Sequence, residues 1–294
     1  MKILHWEHMG VGVVLRDAQR SLGAEAKVVS KAKHPFGFEA DEYCKPHVGW
    51  VLSWLKHRKF DILHNHDNLK IPELICNSYK GRFIQHYHDP RTAKPLYNVP
   101  SLASTPSICE KVPDSTYMPL PVDTDYFAPK DGSLWKKRAR GIRVGFSDLN
   151  LDPTKAKLIP KAELHAMSHK VRLVPQNQVI NHYAMPSYYH TIDVWVDRIQ
   201  DEDPVNFYGW GAVECASMGI PVITQIGETE EAYVEGCPFL NVKKRSQIGD
   251  IVERLGDEAT YRRVSKKSRE YAVKVHDSKT VAKNCLKIYK EIIE

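Results

Sequence analysis

The first half of the chain alternates short apolar runs with segments of helical spacing. The apolar runs predict strands at Lys2–Trp6, Ala26–Ser30, Phe60–His64 and Arg82–His86. Between the first two, Val13–Leu22 has helical spacing and is followed by Gly23. This strand–helix–strand order predicts a parallel sheet with a right-handed crossover. The proline-rich segment Met118–Asp123 suits a crossing segment better than a central strand.

A polar, basic stretch at residues 131–140 interrupts this pattern, and a new strand is predicted at Ile142–Phe146. Further strands are predicted at Val171–Val174, Ile192–Val196 and Pro221–Thr224, and helices around Leu158–Met167, Gly211–Met218, Ile248–Leu255 and Ser278–Ile293. Alternation of this kind in both halves predicts two doubly wound α/β domains. The expected organisation is an N-terminal domain of residues 1–130, a linker of residues 131–141, a C-terminal domain of residues 142–275 and a final segment of residues 276–294.

Composition and charge narrow the class of protein only moderately. The 294 residues are 42% hydrophobic and 27% charged, which is ordinary for a globular protein. No run approaches the roughly 20 apolar residues that cross a bilayer, and Met1–His8 does not resemble a signal peptide. A cytoplasmic protein is therefore expected. The net charge of +6 favours anionic partners, which leaves nucleic acid, phosphorylated small molecules and anionic membrane surfaces open.

Cysteine and histidine spacing gives no clear metal site. The six cysteines are scattered without a CxxC pair, which suits reduced thiols. Histidines two residues apart on predicted strands, and so on one face, are His64 with His66 and His86 with His88. No third ligand of clear spacing accompanies either pair, and a zinc site is not predicted. His165 and His169 lack the glutamate of an HExxH motif, so a helix-surface position is expected.

A glycine-rich segment before the predicted helix at Gly211 is the strongest functional signal. Tyr208-Gly209-Trp210-Gly211 leads into this helix, so free backbone N–H groups and the positive end of the helix dipole face the loop. Such an end binds phosphate or a sugar oxygen. Glu214, expected in the first turn, is placed to accept hydrogen bonds from a ribose diol. A structural glycine turn with a solvated glutamate is the alternative.

This segment resembles the donor-site signature of family 4 glycosyltransferases, whose fold is GT-B. The signature has two glutamates eight positions apart around a glycine-rich turn, followed by Ala-Met-Ala-x-Gly-x-Pro-Val-Ile. Glu214 occupies the second glutamate position and Cys215–Ile223 follows the pattern, while Asn206 stands at the first glutamate position. The resemblance implies an α/β protein with two Rossmann-like domains facing across a cleft, the acceptor domain first and the donor domain second.

Other segments resemble the same family in the same order along nearly the whole chain. They are Lys2–Leu4 with the Gly10-Val11-Gly12 turn, Phe60–His66, His86–Arg91, Ser104–Ser107, Leu120–Pro129 and Ile192–Asp197. The resemblance places His88, or alternatively His86, near the transferred sugar or the acceptor hydroxyl. It also implies that the final helix packs back onto the N-terminal domain.

The resemblance also implies a set of site residues. The family commonly has an arginine after the glycine of the first C-terminal strand, which Gly145-Phe146-Ser147 lacks, while Lys155 keeps the lysine. A leaving diphosphate needs cations or N–H donors, and Lys157, Lys161 and Arg172 are the further candidates. The expected catalytic residues are His88, Lys155 and Asn206. The residues expected to bind the donor are Gly10, Gly12, Lys155, Tyr208, Gly209, Trp210, Gly211 and Glu214.

The implied activity is retaining, metal-independent and cofactor-free transfer from a UDP- or GDP-type sugar to a glycan, a lipid-linked or a small-molecule acceptor. Basic residues in the first half suggest a phospholipid-linked acceptor and peripheral contact with the inner membrane face: Lys31, Lys33, Lys56, His57, Arg58 and Lys59. Asp201–Asp203 could suggest hydrolysis, but an exposed acidic loop is the simpler interpretation. Asn206 keeps a non-catalytic descendant of the family open. A nucleic-acid-binding module lacks any recognisable motif here, so no nucleic-acid partner is expected.

Overall fold

The computed structural model describes residues 1–7, 10–44, 56, 58–66, 82–90, 93–94, 99–129, 141–149, 159–199 and 207–294. They form two compact units. The first contains Met1–Asp123 and Asp277–Glu294, and the second contains Thr124–His276. The predicted linker, apart from residue 141, and the basic run Lys136–Arg140 lie outside the described residues.

The N-terminal unit is built on a parallel sheet with helices. Its strands are β1 (Lys2–Glu7), β2 (Glu25–Ser30), β3 (Glu42–Tyr43), β4 (Ile62–His66), β5 (Phe83–Tyr87), β6 (Ser101–Ala103) and β7 (Thr116–Tyr117). Its helices are α1 (Val11–Ser21), α2 (Pro106–Lys111) and α9 (Ser278–Ile293). The strand order is β3-β2-β1-β4-β5-β6-β7. Successive strands are added on one side of β1 up to β3 and on its other side from β4 onward, so the switch point lies between β1 and β4. In doubly wound sheets, ligands bind beyond the carboxyl ends of the strands at such a switch point.

The C-terminal helix α9 is an integral part of the N-terminal unit. Asp277 begins it by accepting hydrogen bonds from the backbone N–H groups of Lys279 and Thr280, which satisfies amides that have no partner inside the helix. The N–H of Ser278 donates to the carbonyl of Val122 at 2.8 Å. The apolar face of α9 packs on α1, and Tyr289 is fully buried there.

The C-terminal unit contains a second parallel sheet. Its strands are β8 (Arg143–Ser147), β9 (Arg172–Gln176), β10 (Val194–Val196), β11 (Val222–Thr224) and β12 (Leu240–Asn241). Its helices are α3 (Lys161–Ala166), α4 (Met185–Tyr189), α5 (Trp210–Ser217), α6 (Glu228–Tyr233), α7 (Ile248–Arg254) and α8 (Glu258–Tyr271), with 3₁₀ turns at His182–Ala184 and Arg245–Gln247 and a π-helical segment at Ala272–His276. The order β12-β11-β10-β8-β9 reverses between β10 and β8.

Close packing and one ion pair hold this second sheet together at the switch point. A Cβ added at Gly145 of β8 would lie 2.6 Å from Cδ1 of Ile192, so the strand needs glycine there. The Arg143 guanidinium donates to both carboxylate oxygens of Asp193 at 2.8 and 2.9 Å. Such a bidentate pair adds geometric specificity to β8 and to the segment that enters β10.

The predicted α/β class is confirmed, and most predicted elements are present with shifted ends. The short strands β3, β6, β7 and β12 were not predicted, and neither was the 14-residue helix α8. Helix α5 begins at Trp210, so Glu214 is its fifth residue and lies beyond the first turn, contrary to the prediction. The cysteines in the described part of the chain are free, and among the helices in that part none is long and apolar enough to cross a membrane.

Candidate functional site

The first candidate site lies in the C-terminal unit, where β10 ends and α5 begins. Gly209 precedes the helix in an extended conformation, and its N–H donates to Oδ2 of Asp197 at 2.6 Å. Gly209, Trp210 and Gly211 are partly exposed. The predicted glycine turn and helix start are therefore present, with one of the backbone N–H groups already bonded to a carboxylate of the chain itself.

Arg198 brings a cation to this helix start. Its Nη2 donates to the carbonyl of Phe207 at 2.9 Å, and its Nε lies 3.9 Å from Oδ1 of Asp197. A Cβ added at Gly209 would lie 3.1 Å from the Arg198 Nη2. Arg198 was not predicted, because the family resemblance places the cations after β8. Its position directly after an apolar strand and before the glycine turn was the available signal.

Glu214 does not have the solvated position of the alternative interpretation. Its side chain is 7% exposed, Oε2 accepts a hydrogen bond from the Tyr189 hydroxyl at 2.6 Å, and Oε1 lies 3.2 Å from Nδ1 of His182. Burial and the neighbouring Glu214 carboxylate raise the pKa of Tyr189, so the phenol stays a donor. The carboxylate predicted to bind ribose thus has two partners within the C-terminal unit.

Tyr208 also lies in the protein interior. Its hydroxyl lies 3.1 Å from Nε2 of His276 and 3.2 Å from the hydroxyl of Tyr271. Its side chain is 1% exposed. The structure therefore gives the phenol a packing role beneath the start of α5.

Of the other predicted cations, the structure describes Lys161 and Arg172. Lys155, Lys157 and Asn206 lie outside the described residues, as does the acidic cluster Asp201–Asp203. Lys161 forms an ion pair with Asp148. Arg172 is exposed at the beginning of β9, the edge opposite the carboxyl ends.

The predicted glycine turn of the N-terminal unit is closed by a buried carboxylate. Glu7, the last residue of β1, accepts hydrogen bonds from the N–H groups of Gly10 at 2.7 Å and Gly12 at 3.0 Å. Gly10 has a φ of +88°, which favours glycine. A Cβ added at Gly12 would lie 2.9 Å from Cγ of Glu7 and 3.0 Å from Nε2 of His66. The amides predicted to bind the donor are therefore bonded to Glu7.

The second candidate site is a buried histidine cluster at the switch point of the N-terminal sheet. It consists of His5 on β1, His64 and His66 on β4, His86 on β5, and His88 just after β5. Two triads offer ring nitrogens within 4.8 Å of one another, His5 with His64 and His66, and His66 with His86 and His88. No third ligand of clear spacing was found in the sequence for either pair, but the tertiary structure supplies one, because β1 contributes His5 and adjacent strands bring the two pairs together.

Burial determines the protonation of this cluster. Desolvation lowers the pKa of His5 to about 4 and that of His88 to about 3. It also lowers the pKa values of His64, His66 and His86 well below the ordinary value, and the neighbouring histidines act in the same direction. All five imidazoles are therefore neutral near pH 7, which leaves each ring one N–H donor and one acceptor nitrogen.

Comparisons with known proteins identify the fold but no sequence family. No protein-family model and no curated protein sequence matches the chain. Among solved structures, HepE of Anabaena in complex with UDP-glucose superposes with a TM-score of 0.69 at 13% identity, over 99% of this chain and 100% of that one. A glycosyltransferase from Rickettsia africae gives 0.70 at 12% identity, over 100% and 98%. Sucrose-phosphate synthase from Thermosynechococcus elongatus gives 0.66 at 13% identity, over 99% of each chain.

These solved structures have the GT-B fold, which consists of two Rossmann-like domains. The two parallel sheets, each with a switch point, and the match over nearly the full length show that this chain has the same fold. The predicted fold class is therefore confirmed.

Proposed function

We propose that this protein is a glycosyltransferase that moves a sugar from a nucleoside-diphosphate sugar to an acceptor hydroxyl. The observation that carries the proposal is the start of α5, where a glycine turn of partly exposed residues and the Arg198 guanidinium lie together at a strand's carboxyl end. The fold supports the same function, since HepE, which shares it, holds UDP-glucose. The signature around Glu214 and Cys215–Ile223 favours family 4.

The donor diphosphate is proposed to bind at the N-terminus of α5. Developing negative charge on the leaving diphosphate is stabilised by preorganised N–H donors and cations. Arg198 and the amides of Trp210 and Gly211 would supply these groups, together with Lys155. Glu214, held by Tyr189, is proposed to reach the ribose from its buried position. UDP is the first nucleotide to test and GDP is the second.

The acceptor is proposed to bind to the N-terminal unit near His88, which lies beyond the carboxyl end of β5. Transfer is proposed to retain the anomeric configuration without a metal, as the family resemblance implies. The leaving diphosphate would then take the acceptor proton. The acceptor is proposed to be a glycan, a lipid-linked or a small-molecule hydroxyl. Peripheral contact with the inner membrane face is also proposed, because of the basic residues in the first half of the chain.

A ligand panel tests the donor site. The purified protein is heated with UDP, GDP, ADP and their sugars, and a ligand present at about 100 times its dissociation constant should add roughly 2.7 kcal/mol of stability. Arg198→Ala should raise the dissociation constant for UDP about tenfold or more, because it removes a fixed cation from the diphosphate site, and the stabilisation by UDP should fall accordingly. Arg172→Ala, at the opposite edge of the sheet, is the matched control and should leave the response unchanged.

Asp197→Asn gives a test of opposite sign. The carboxylate is an anion at the same helix start, so its removal should strengthen UDP binding a few-fold even if stability falls. Weaker binding in Asp197→Asn, or an unchanged response in Arg198→Ala, would place the diphosphate elsewhere.

A non-catalytic sugar-nucleotide-binding protein is the second candidate, because Asn206 replaces the first signature glutamate. Mass spectrometry of acceptor mixtures with each donor separates the two functions: transfer products support the enzyme, and binding without transfer or donor hydrolysis supports the second candidate. Asn206→Glu sharpens the result. A rise in turnover with the same donor would identify a weakened ancestral site, and loss of turnover would show that asparagine fits a different sugar.

A further inference from the structure

The buried histidines belong to a larger closed network of hydrogen bonds. Eight side chains take part, here called the histidine ring: His5, Gln19, His64, His66, His86, His88, Ser104 and Tyr289. Seven of them are at most 1% exposed, and His88 is partly exposed. Each member lies within hydrogen-bond distance of two other members, so the network forms a closed ring.

One half of the ring runs from Gln19 to Ser104. Oε1 of Gln19 lies 2.8 Å from Nε2 of His5, and Nδ1 of His5 lies 3.0 Å from Nε2 of His66. Nδ1 of His66 lies 3.0 Å from Nε2 of His88. Nδ1 of His88 then lies 2.6 Å from Oγ of Ser104.

The other half returns from Ser104 to Gln19. Oγ of Ser104 lies 3.0 Å from Nε2 of His86, and Nδ1 of His86 lies 3.1 Å from Nε2 of His64. Nδ1 of His64 lies 2.5 Å from the hydroxyl oxygen of Tyr289. That hydroxyl accepts from Nε2 of Gln19 at 3.4 Å.

The Gln19 amide sets the direction of every hydrogen bond in the first half. Its carbonyl oxygen can only accept, so Nε2 of His5 carries the hydrogen. A neutral imidazole has one N–H, so Nδ1 of His5 accepts from Nε2 of His66. The same reasoning makes Nε2 of His88 the donor to His66. Nδ1 of His88 is left as an acceptor for the Ser104 hydroxyl.

The second half follows with the same direction and closes without conflict. Ser104 has used its hydrogen, so it accepts from Nε2 of His86. Nδ1 of His86 accepts from Nε2 of His64, and Nδ1 of His64 accepts from Tyr289. Eight donors then meet eight acceptors. All five histidines are the Nε2–H tautomer, and a fully satisfied network of this kind specifies one arrangement.

We propose that Gln19 is a positioning residue, which holds His88 as the Nε2–H tautomer so that Nδ1 is the nitrogen that accepts hydrogen from Ser104 or from a substrate hydroxyl. Nε2–H of His88 is directed inward to His66, and the Ser104 hydroxyl can rotate away when a substrate hydroxyl replaces it. His88 therefore orients the acceptor hydroxyl. The link to the acceptor rests on the proposed function, whereas the tautomer does not.

A metal ion is the competing occupant of these histidines. Zinc binds imidazole nitrogen at about 2.0–2.1 Å in a tetrahedral arrangement, which places two of its nitrogen ligands about 3.3 Å apart. The nitrogens of His5 and His66, of His66 and His88, and of His64 and His86 are 3.0–3.1 Å apart, which fits a shared hydrogen. The geometry therefore favours hydrogen over metal.

Two-bond ¹H–¹⁵N correlation spectra of the full chain test the tautomers directly. In the unmodified protein, all five ring histidines should show hydrogen on Nε2 and none on Nδ1. Gln19→Met keeps the length of the side chain but removes the amide, so signals of Nδ1–H tautomers should appear. Tyr289→Phe is the matched control: it also opens the ring, yet the Gln19 carbonyl still directs His5, so the Nε2–H pattern should persist.

Several outcomes would overturn the proposal. They are mixed tautomers in the unmodified protein, a Gln19→Met variant with the unmodified pattern, and a Tyr289→Phe variant that loses it. If Gln19→Met does not fold, the unmodified spectrum and Ser104→Ala still decide, because His5, His66 and His88 should stay Nε2–H in Ser104→Ala. Loss of the ring N–H signals on addition of one equivalent of Zn²⁺ would instead assign a metal site.

An activity measurement tests the link to the acceptor. If the donor and acceptor are identified, Gln19→Met should lower kcat about tenfold while KM for the donor changes less than about threefold, because His88 no longer presents one acceptor nitrogen. Tyr289→Phe should keep kcat within about threefold. If Nδ1–H signals appear in Gln19→Met as expected but its kcat is unchanged, only the link to the acceptor is rejected. Absence of any transferase activity in the unmodified protein would reject the proposed function, while the spectra would still decide the tautomers.

Discussion

The N-terminal and C-terminal units begin their candidate sites in the same way and then bury different chemistry. In each unit a parallel strand ends in a carboxylate that accepts the N–H of the glycine before the next helix: Glu7 with Gly10, and Asp197 with Gly209. The N-terminal unit then buries the neutral histidine ring. The C-terminal unit buries Glu214 with Tyr189 and His182.

This difference separates two tasks that a parallel sheet can perform at its switch point. A neutral network of matched donors and acceptors holds side chains in one orientation without placing charge in the interior. The Arg198 guanidinium beside the Asp197 carboxylate provides fixed charges that suit a polar, phosphorylated ligand. The family resemblance implies the proposed division into an acceptor-binding and a donor-binding unit, and this contrast supports it.

Acid should produce the largest difference between the units. A histidine that is neutral when folded and protonated when unfolded contributes stability above its unfolded pKa of about 6.5, and this is lost at about 1.4 kcal/mol per pH unit as the pH falls toward the folded value. For His5 the window runs from about 6.5 down to about 4. His64, His66 and His86 add losses of the same sign below about pH 6.5.

Hydrogen exchange with mass spectrometry between about pH 7 and pH 4.5 measures this difference for each unit. After correction for the intrinsic exchange rate, the opening free energy of β1, β4 and β5 should fall by several kcal/mol more than that of β8, β10 and β11. Equal losses in both units would show that the histidine ring does not control acid stability.

Two matched tyrosines give the next effect. Tyr289 donates to His64 in one unit and Tyr189 donates to Glu214 in the other, and both are at most 1% exposed. Tyr189→Phe leaves the Glu214 carboxylate with one donor fewer, at a cost of about 1–3 kcal/mol. Tyr289→Phe leaves Nδ1 of His64 without its donor and removes the longer contact of 3.4 Å from the Gln19 amide, at a cost in the same range of about 1–3 kcal/mol. Because its acceptor is a carboxylate, Tyr189→Phe should cost more in urea denaturation. If Tyr289→Phe lost more unfolding free energy than Tyr189→Phe, the carboxylate in the C-terminal unit would not be the more demanding acceptor.

Two glycines give the smallest effect. A Cβ at Gly12 would meet Glu7 at 2.9 Å and His66 at 3.0 Å, whereas at Gly211 the nearest atoms, on Trp195 and Tyr189, are 3.3 Å away. Gly12→Ala should therefore cost about 1–3 kcal/mol through overpacking. In Gly211→Ala the strain is offset by the better helix propensity of alanine, and the net change should be below about 1 kcal/mol. Thermal unfolding of both variants measures the difference, and equal losses would show that the histidine ring tolerates displacement of His66.

The local pattern of the chain was sufficient to predict its class of fold. Apolar runs, helical spacing and the glycine turns determine where strands and helices form, because these depend on neighbouring residues. The order of the segments along the chain carried the family resemblance. The start of α5 was found within one residue for the same reason. The position of Lys155 and Asn206 relative to this start remains a prediction.

Partners that lie far apart in the sequence were decided by the tertiary structure. Gln19 and Tyr289 are 270 residues apart and Tyr289 and His64 are 225 apart, so no spacing rule connects them. The third histidine of each triad and the tautomer of His88 follow only when β1, β4 and β5 lie side by side. Hydrogen bonds require atoms within about 3 Å, and in a parallel sheet strands from distant segments bring them to that distance.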